Sequence, residues 1–155
     1  MTIKNRKRKI LLVVFGVLFA YALWLTYRPV EIVAVHHRGN NFSAILVKNF
    51  PFTDRSKINW WLENRDILKE KYNVPDPDEN GPFSIIVWRF GKGYQADKQD
   101  DDQYCFKDMQ IREHCIQKDT LLIIDGRGKN QAYFTGDNGK YLLKNNGEII
   151  KIKDR

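Results

Sequence analysis

The feature that most constrains this chain is an apolar run at residues 10–27, ILLVVFGVLFAYALWLTY. It has no charge and no proline. Directly before it stand Lys4, Arg6, Lys7, Arg8 and Lys9, with no acidic residue among them. Eighteen uninterrupted apolar or neutral residues lie near the lower bound for crossing a bilayer core as a helix, about 17–25 residues at ~1.5 Å each. Tyr21, Trp24 and Tyr27 gather at the far end, where an aromatic belt meets the water interface. A cleaved secretory signal has a similar layout, and Ala20-Tyr21-Ala22 offers its small-x-small site. The apolar run continues through Leu23, Trp24 and Leu25, however, where a mature start would be polar. The expectation is therefore an uncleaved signal anchor at 10–27, a cytoplasmic basic tail at 1–9 and an exported domain at 28–155. The chain is then single-pass, with the N-terminus inside.

The formal charge of +7 dissolves under the same division. Five of the 26 basic residues and none of the 19 acidic ones fall in 1–27, leaving 21 against 19 in the remainder. A net +2 over the domain does not describe a nucleic-acid surface. About 125 residues follow the anchor, enough for a modest core without a metal.

Arg28-Pro29 ends the first helix, because proline disfavours helix at the residue before it. Residues 30–36 (VEIVAVH) and 42–48 (FSAILVK) read as strands joined by turn chemistry at Gly39-Asn40-Asn41. A helix is expected from about Arg55 to Tyr72, capped by Thr53 or Asp54. At 100° per residue its apolar face is Ile58, Trp61, Leu62, Leu68 and Tyr72, with Arg65 in the same sector. Trp60 and Ile67 point the other way. Residues 74–82 carry three prolines and form a connector. Residues 83–90 (FSIIVWRF) are apolar on both parities, the pattern of a central strand covered on both faces. After a polar stretch at 91–103, strands at 120–125, 131–135, 141–144 and 148–153 are separated by turns at 125–128 (DGRG), 136–139 (GDNG) and 145–147 (NNG), an antiparallel meander. The fold class is α+β: one transmembrane helix, then a small antiparallel sheet packed with one amphipathic helix.

Candidate chemistry is sparse. Asp97, Asp100, Asp101 and Asp102 lack the spacing, central glycine and terminal glutamate of a calcium loop. Gly91-Lys92-Gly93 is no phosphate loop. His36 and His37 are neighbours on a strand and so face opposite ways. Ser43, Ser56 and Ser84 lie in no nucleophile context. No catalytic, cofactor or metal site is expected, and no small-molecule substrate. Cys105 and Cys115 are the only cysteines. In an exported domain they are expected to pair, closing a loop whose bridge contributes roughly 2–3 kcal/mol. The alternatives are free thiols, or a metal site completed by His114, which as two cysteines and one histidine is an incomplete zinc set.

Four phrases, 28–36 (RPVEIVAVH), 46–54 (LVKNFPFTD), 57–62 (KINWWL) and 68–75 (LKEKYNVP), give the chain a resemblance to the enterobacterial membrane-protein family called domain of unknown function 943. It extends through the strand holding Trp88 and the region of Cys105 and Cys115. The resemblance implies a bacterial inner-membrane protein, single-pass, with one N-terminal transmembrane helix, a periplasmic body at 28–155 and no established activity. On format, the expectation is a non-enzymatic protein-binding module, such as an inhibitor or immunity protein against an exported toxin. Its candidate contact surface is Trp60, Ile67, Asp97, Asp100, Asp101 and Asp102. The second reading is an accessory subunit of an envelope complex, with Gly16 and Ala20 as a small-xxx-small pair in the membrane.

Overall fold

The computed structural model describes residues 3–39, 41–75, 81–128 and 130–153. Asn40 of the expected turn and 76–80 of the expected connector lie outside them. The first helix, α1, spans Ile3–Tyr27 and so carries the helix through the basic tail as well as the apolar run. Its apolar window is wholly uncovered by the rest of the chain. At the far end Tyr21 stacks on Trp24, and the Arg28 guanidinium lies 5.7 Å from the Trp24 ring centroid.

The domain is built on a seven-stranded sheet: β1 (Glu31–Arg38), β2 (Phe42–Lys48), β3 (Pro82–Arg89), β7 (Thr120–Arg127), β8 (Gln131–Gly136), β9 (Gly139–Leu143) and β10 (Ile149–Ile152), side by side in that order. Three short strands, β4 (Gln95–Ala96), β5 (Gln103–Cys105) and β6 (Glu113–Gln117), make a second sheet in the order β4-β6-β5. The expected hairpin and meander are both present. The sheet is larger than expected and mixed, because β2 and β3 run parallel. The helix α2 (Asp54–Tyr72) is what makes that possible. A parallel pair needs a crossover, and α2 supplies it.

Thr53 caps α2, its hydroxyl accepting from the Ser56 N–H, while Asn73 closes the C-terminus in the left-handed conformation (φ 55°). The Asn73 and Val74 N–H groups donate to the Lys69 and Leu68 carbonyls, so orphan carbonyls of the last turn are satisfied. Ile58, Trp61 and Leu68 are buried as the helical period predicts, with Leu62 and Tyr72 packed at the margin. They meet Ile45 and Val47 of β2, Ile85 and Val87 of β3, and Leu122, Ile124 and Phe134 beyond. Alternate residues of the same strands face the other way. Ala44, Leu46 and Trp88 form a second core with Phe106 and Ile116. The small sheet covers that face, so β3 is enclosed on both sides.

Candidate functional site

The second core is aromatic, and it brings together the polar groups with the most specific geometry. β1 ends at the hairpin tip, with His36 pointing towards the small sheet. Its ring stacks on Phe106 at 4.0 Å between centroids and 16° between planes. Nδ1 lies 2.7 Å from Asp108 Oδ2, and Nε2 lies 2.8 Å from the Tyr94 hydroxyl. Asp108 accepts from Nδ1, which fixes the tautomer and leaves Nε2 to the phenol. Tyr94 is pushed above its ordinary pKa, first by burial and then by the charge of Asp108. It therefore keeps its proton at neutral pH and is a poor nucleophile. The three groups act as a latch between two sheets. Beside them is a cleft of about 280 Å³ whose lining includes His36, Arg38, Tyr104, Phe106, Lys107 and Asp108. Arg38 donates to the Tyr104 hydroxyl at 3.1 Å across it.

His37 does face the opposite way. Its Nε2 is 3.0 Å from the Tyr72 carbonyl at the end of α2.

A different polar cluster sits where α2 begins. Asp54 is 3% exposed and accepts from the Asp137 and Asn138 N–H groups (both 2.8 Å) and from the Tyr141 hydroxyl (2.9 Å). Lys57, 2% exposed, donates to the Leu121 carbonyl and to Asp137. Burial raises the Asp54 carboxyl, but the two amides, Tyr141 and the Lys57 charge together bring it below its ordinary value. This is a structural clamp of the helix on the β8–β9 turn. Gly136 has no side chain for a direct reason: a Cβ there would sit 2.4 Å from the Asp54 carboxyl carbon.

The residues singled out in the sequence fall into two places, Trp60 and Ile67 on α2, and the cysteine pair with the aspartate loop at the small sheet. Cys105 and Cys115 are bonded to one another as register partners on β5 and β6. Trp60 is half-covered, with Phe50 against its edge at 5.1 Å. Ile67 remains 57% exposed. Asp97, Asp100, Asp101 and Asp102 are exposed, in the turn between β4 and β5. Asp97 and Asp100 accept from the Gln99 and Asp102 N–H groups, holding that turn. The expected contact surface has Trp60 and Ile67 on α2 and the four aspartates beside the small sheet. α2 packs on one face of the large sheet and the small sheet on the other, so the two halves of that surface look away from each other.

The difference between Trp60 and Ile67 is measurable. Trp60→Ala is expected to cost about 2 kcal/mol by losing its aromatic pair and partial burial. Ile67→Ser should stay within about 0.5 kcal/mol. Urea midpoints of the two variants check this.

A family model described as "Enterobacterial putative membrane protein (DUF943)" matches residues 4–153. The chain belongs to this family. The match covers α1 and nearly all of the domain, including the last four strands. The DUF943 description states a membrane protein and no activity. No curated protein and no solved structure matches the chain.

Tyr94 and Asp108, the partners of His36, went unnoticed in the sequence. They are 58 and 72 residues from it. The one available hint was that a histidine closing a strand at a buried parity needs two hydrogen-bond partners.

Proposed function

We propose that this chain is a single-pass protein of the bacterial inner membrane, N-terminus cytoplasmic, whose periplasmic domain binds another protein and catalyses no reaction. The observation that carries the reading is the wholly uncovered apolar helix behind a basic tail. Positive flanks stay inside, and the Cys105–Cys115 bridge suits an oxidising compartment. Binding is supported by Phe52, Ile67 and Ile111, large apolar side chains left exposed on the domain. The preferred form is an inhibitor or immunity protein against an exported toxin.

Two experiments test it. A C-terminal alkaline phosphatase fusion should be active, and the two cysteines should resist alkylation in cells until reduced. An inactive fusion with free thiols overturns the topology. Co-expression with a secreted effector encoded beside the gene should protect the cell, and failure to protect removes the inhibitor form.

The accessory-subunit reading has one observation in its favour: nothing lies within 4 Å of a Cβ placed on Gly16, so another helix has room to approach. Exchanging the anchor for a cleavable signal separates the two. An inhibitor keeps its activity as a soluble domain, and an accessory subunit loses it.

A further inference from the structure

We propose that Asp97, Cys105, His114 and Cys115 form a redox-gated site for a zinc-class divalent cation, closed by the disulfide and opened by its reduction. The inference does not depend on which side of the membrane the domain occupies, nor on the protein-binding reading.

Two cysteines and a neighbouring histidine are one ligand short of a tetrahedral set. The fold supplies the fourth. β4 and β5 both pair with β6, so Asp97 just beyond β4 arrives beside Cys105 on β5 and His114 and Cys115 on β6. One ligand atom from each of the four lies within 4.8 Å of all the others. Two thiolates, an imidazole and a carboxylate suit zinc rather than calcium or magnesium, which take oxygen ligands.

The surroundings orient two of the four. His114 Nδ1 is 3.0 Å from the carbonyls of both Ile111 and Arg112, so it carries the ring proton and leaves the lone pair on Nε2. A backbone carbonyl behind a ligating histidine is the usual support for such a nitrogen. Asp97 accepts the Gln99 N–H through Oδ1, leaving Oδ2 for the metal. Cys115 is buried and Asp97 exposed, so the site has a dry floor and an open mouth.

In the oxidised chain the two sulfurs are bonded to each other and neither is a thiolate. A dithiol reductant supplies two electrons and two protons. The S–S bond breaks, two thiols form, and the reductant becomes a disulfide. Metal binding then exchanges two S–H bonds for two metal–sulfur bonds and releases two protons. Thiol–disulfide exchange in the reverse direction expels the metal.

Cobalt(II) is the probe, added to the full chain in mild detergent. After reduction with a phosphine, which does not chelate, one equivalent should give the visible bands of tetrahedral cobalt and sulfur-to-cobalt charge transfer. Zinc should abolish both. The oxidised chain should show neither. Asp97→Ala and His114→Ala should each weaken cobalt binding about tenfold or more, and neither substitution removes a core side chain. Circular dichroism of the reduced chain reports whether the small sheet persists. The proposal is overturned if the reduced chain gives no tetrahedral bands, including the case in which it unfolds and cobalt does not restore it. It is equally overturned if both substitutions leave affinity unchanged, since thiolates alone then hold the ion, or if the oxidised chain binds as well.

Discussion

Asp54→Ala is expected to destabilise the domain by about 3–5 kcal/mol, the range for removing one member of a buried, charged hydrogen-bond cluster. The substitution strands the Asp137 and Asn138 N–H groups and the Tyr141 hydroxyl, all of which donate to this carboxylate. A donor left unpaired away from water costs about 1–3 kcal/mol, which weighs most on the half-buried Tyr141, since Asp137 and Asn138 are exposed. Lys57 keeps Asp137 and the Leu121 carbonyl but loses a nearby negative charge. Chemical denaturation of the full chain in detergent, followed by tryptophan fluorescence, measures the loss. The same carboxylate gives a pH signature. Its folded pKa is depressed below 3.8, so its contribution is complete above that value and is lost as pH falls through the folded one. Wild type should therefore weaken in acid below about pH 4, and Asp54→Asn should start weaker and show a flatter acid limb. Tyr141 works at the other end. Burial, then its hydrogen bond to Asp54, then the Asp54 charge raise its pKa above 10.0. Its contribution is present below that value and is lost as pH rises through the folded one. Tyr141→Phe should remove that alkaline component. An Asp54→Ala chain as stable as wild type, with an unchanged acid limb, would show that the clamp contributes nothing.

Gly136→Ala supports the same argument from the other side of the contact, since the added methyl has no space beside the Asp54 carboxyl. That glycine was legible in the sequence only as turn chemistry, and Asp54 only as one of two possible caps. Thr53 takes the cap, which frees Asp54 to reach across to a turn more than eighty residues away. What could be read in advance was what repeats locally. The apolar run gave α1, the 3.6-residue period gave the buried face of α2, and the Asn-Gly turns gave the meander. The short strands β4, β5 and β6 could not be read in this way. They have two, three and five residues, and mostly polar ones, too few to show alternation. The parallel pairing of β2 with β3 was equally hidden, because it depends on where α2 returns the chain. The candidate site lies in the part of the fold made by these unreadable pieces. Its residues come from β1, from just before β4, from β5 and from the segment after β5, and only tertiary packing collects them.

His36→Ala is the second large effect, about 3 kcal/mol, and it should be local. The alanine gives up the bonds to Asp108 and Tyr94 and the stack on Phe106. Two hydrogen bonds at about 1 kcal/mol each and an aromatic contact at about 0.5–1.5 kcal/mol account for that figure. His36 is the only described side chain of β1 that hydrogen-bonds both Tyr94 and Asp108, which flank the small sheet. Its loss should loosen β4, β5 and β6 before it affects the large sheet. Hydrogen exchange distinguishes these outcomes. Amides of 95–117 should lose protection, while those of β3 and β7, enclosed between the two cores, should keep theirs. Tyr94→Phe should lie between wild type and His36→Ala, since it leaves one ring nitrogen unpaired and keeps the stack. Asp108→Asn should be milder still, because an amide oxygen can accept from Nδ1 and Asp108 is already half in water. If His36→Ala lowers protection evenly across both sheets, the three groups are ordinary core packing. If protection falls only in the small sheet, the latch sets how firmly the redox-active strands are held against the anchored domain.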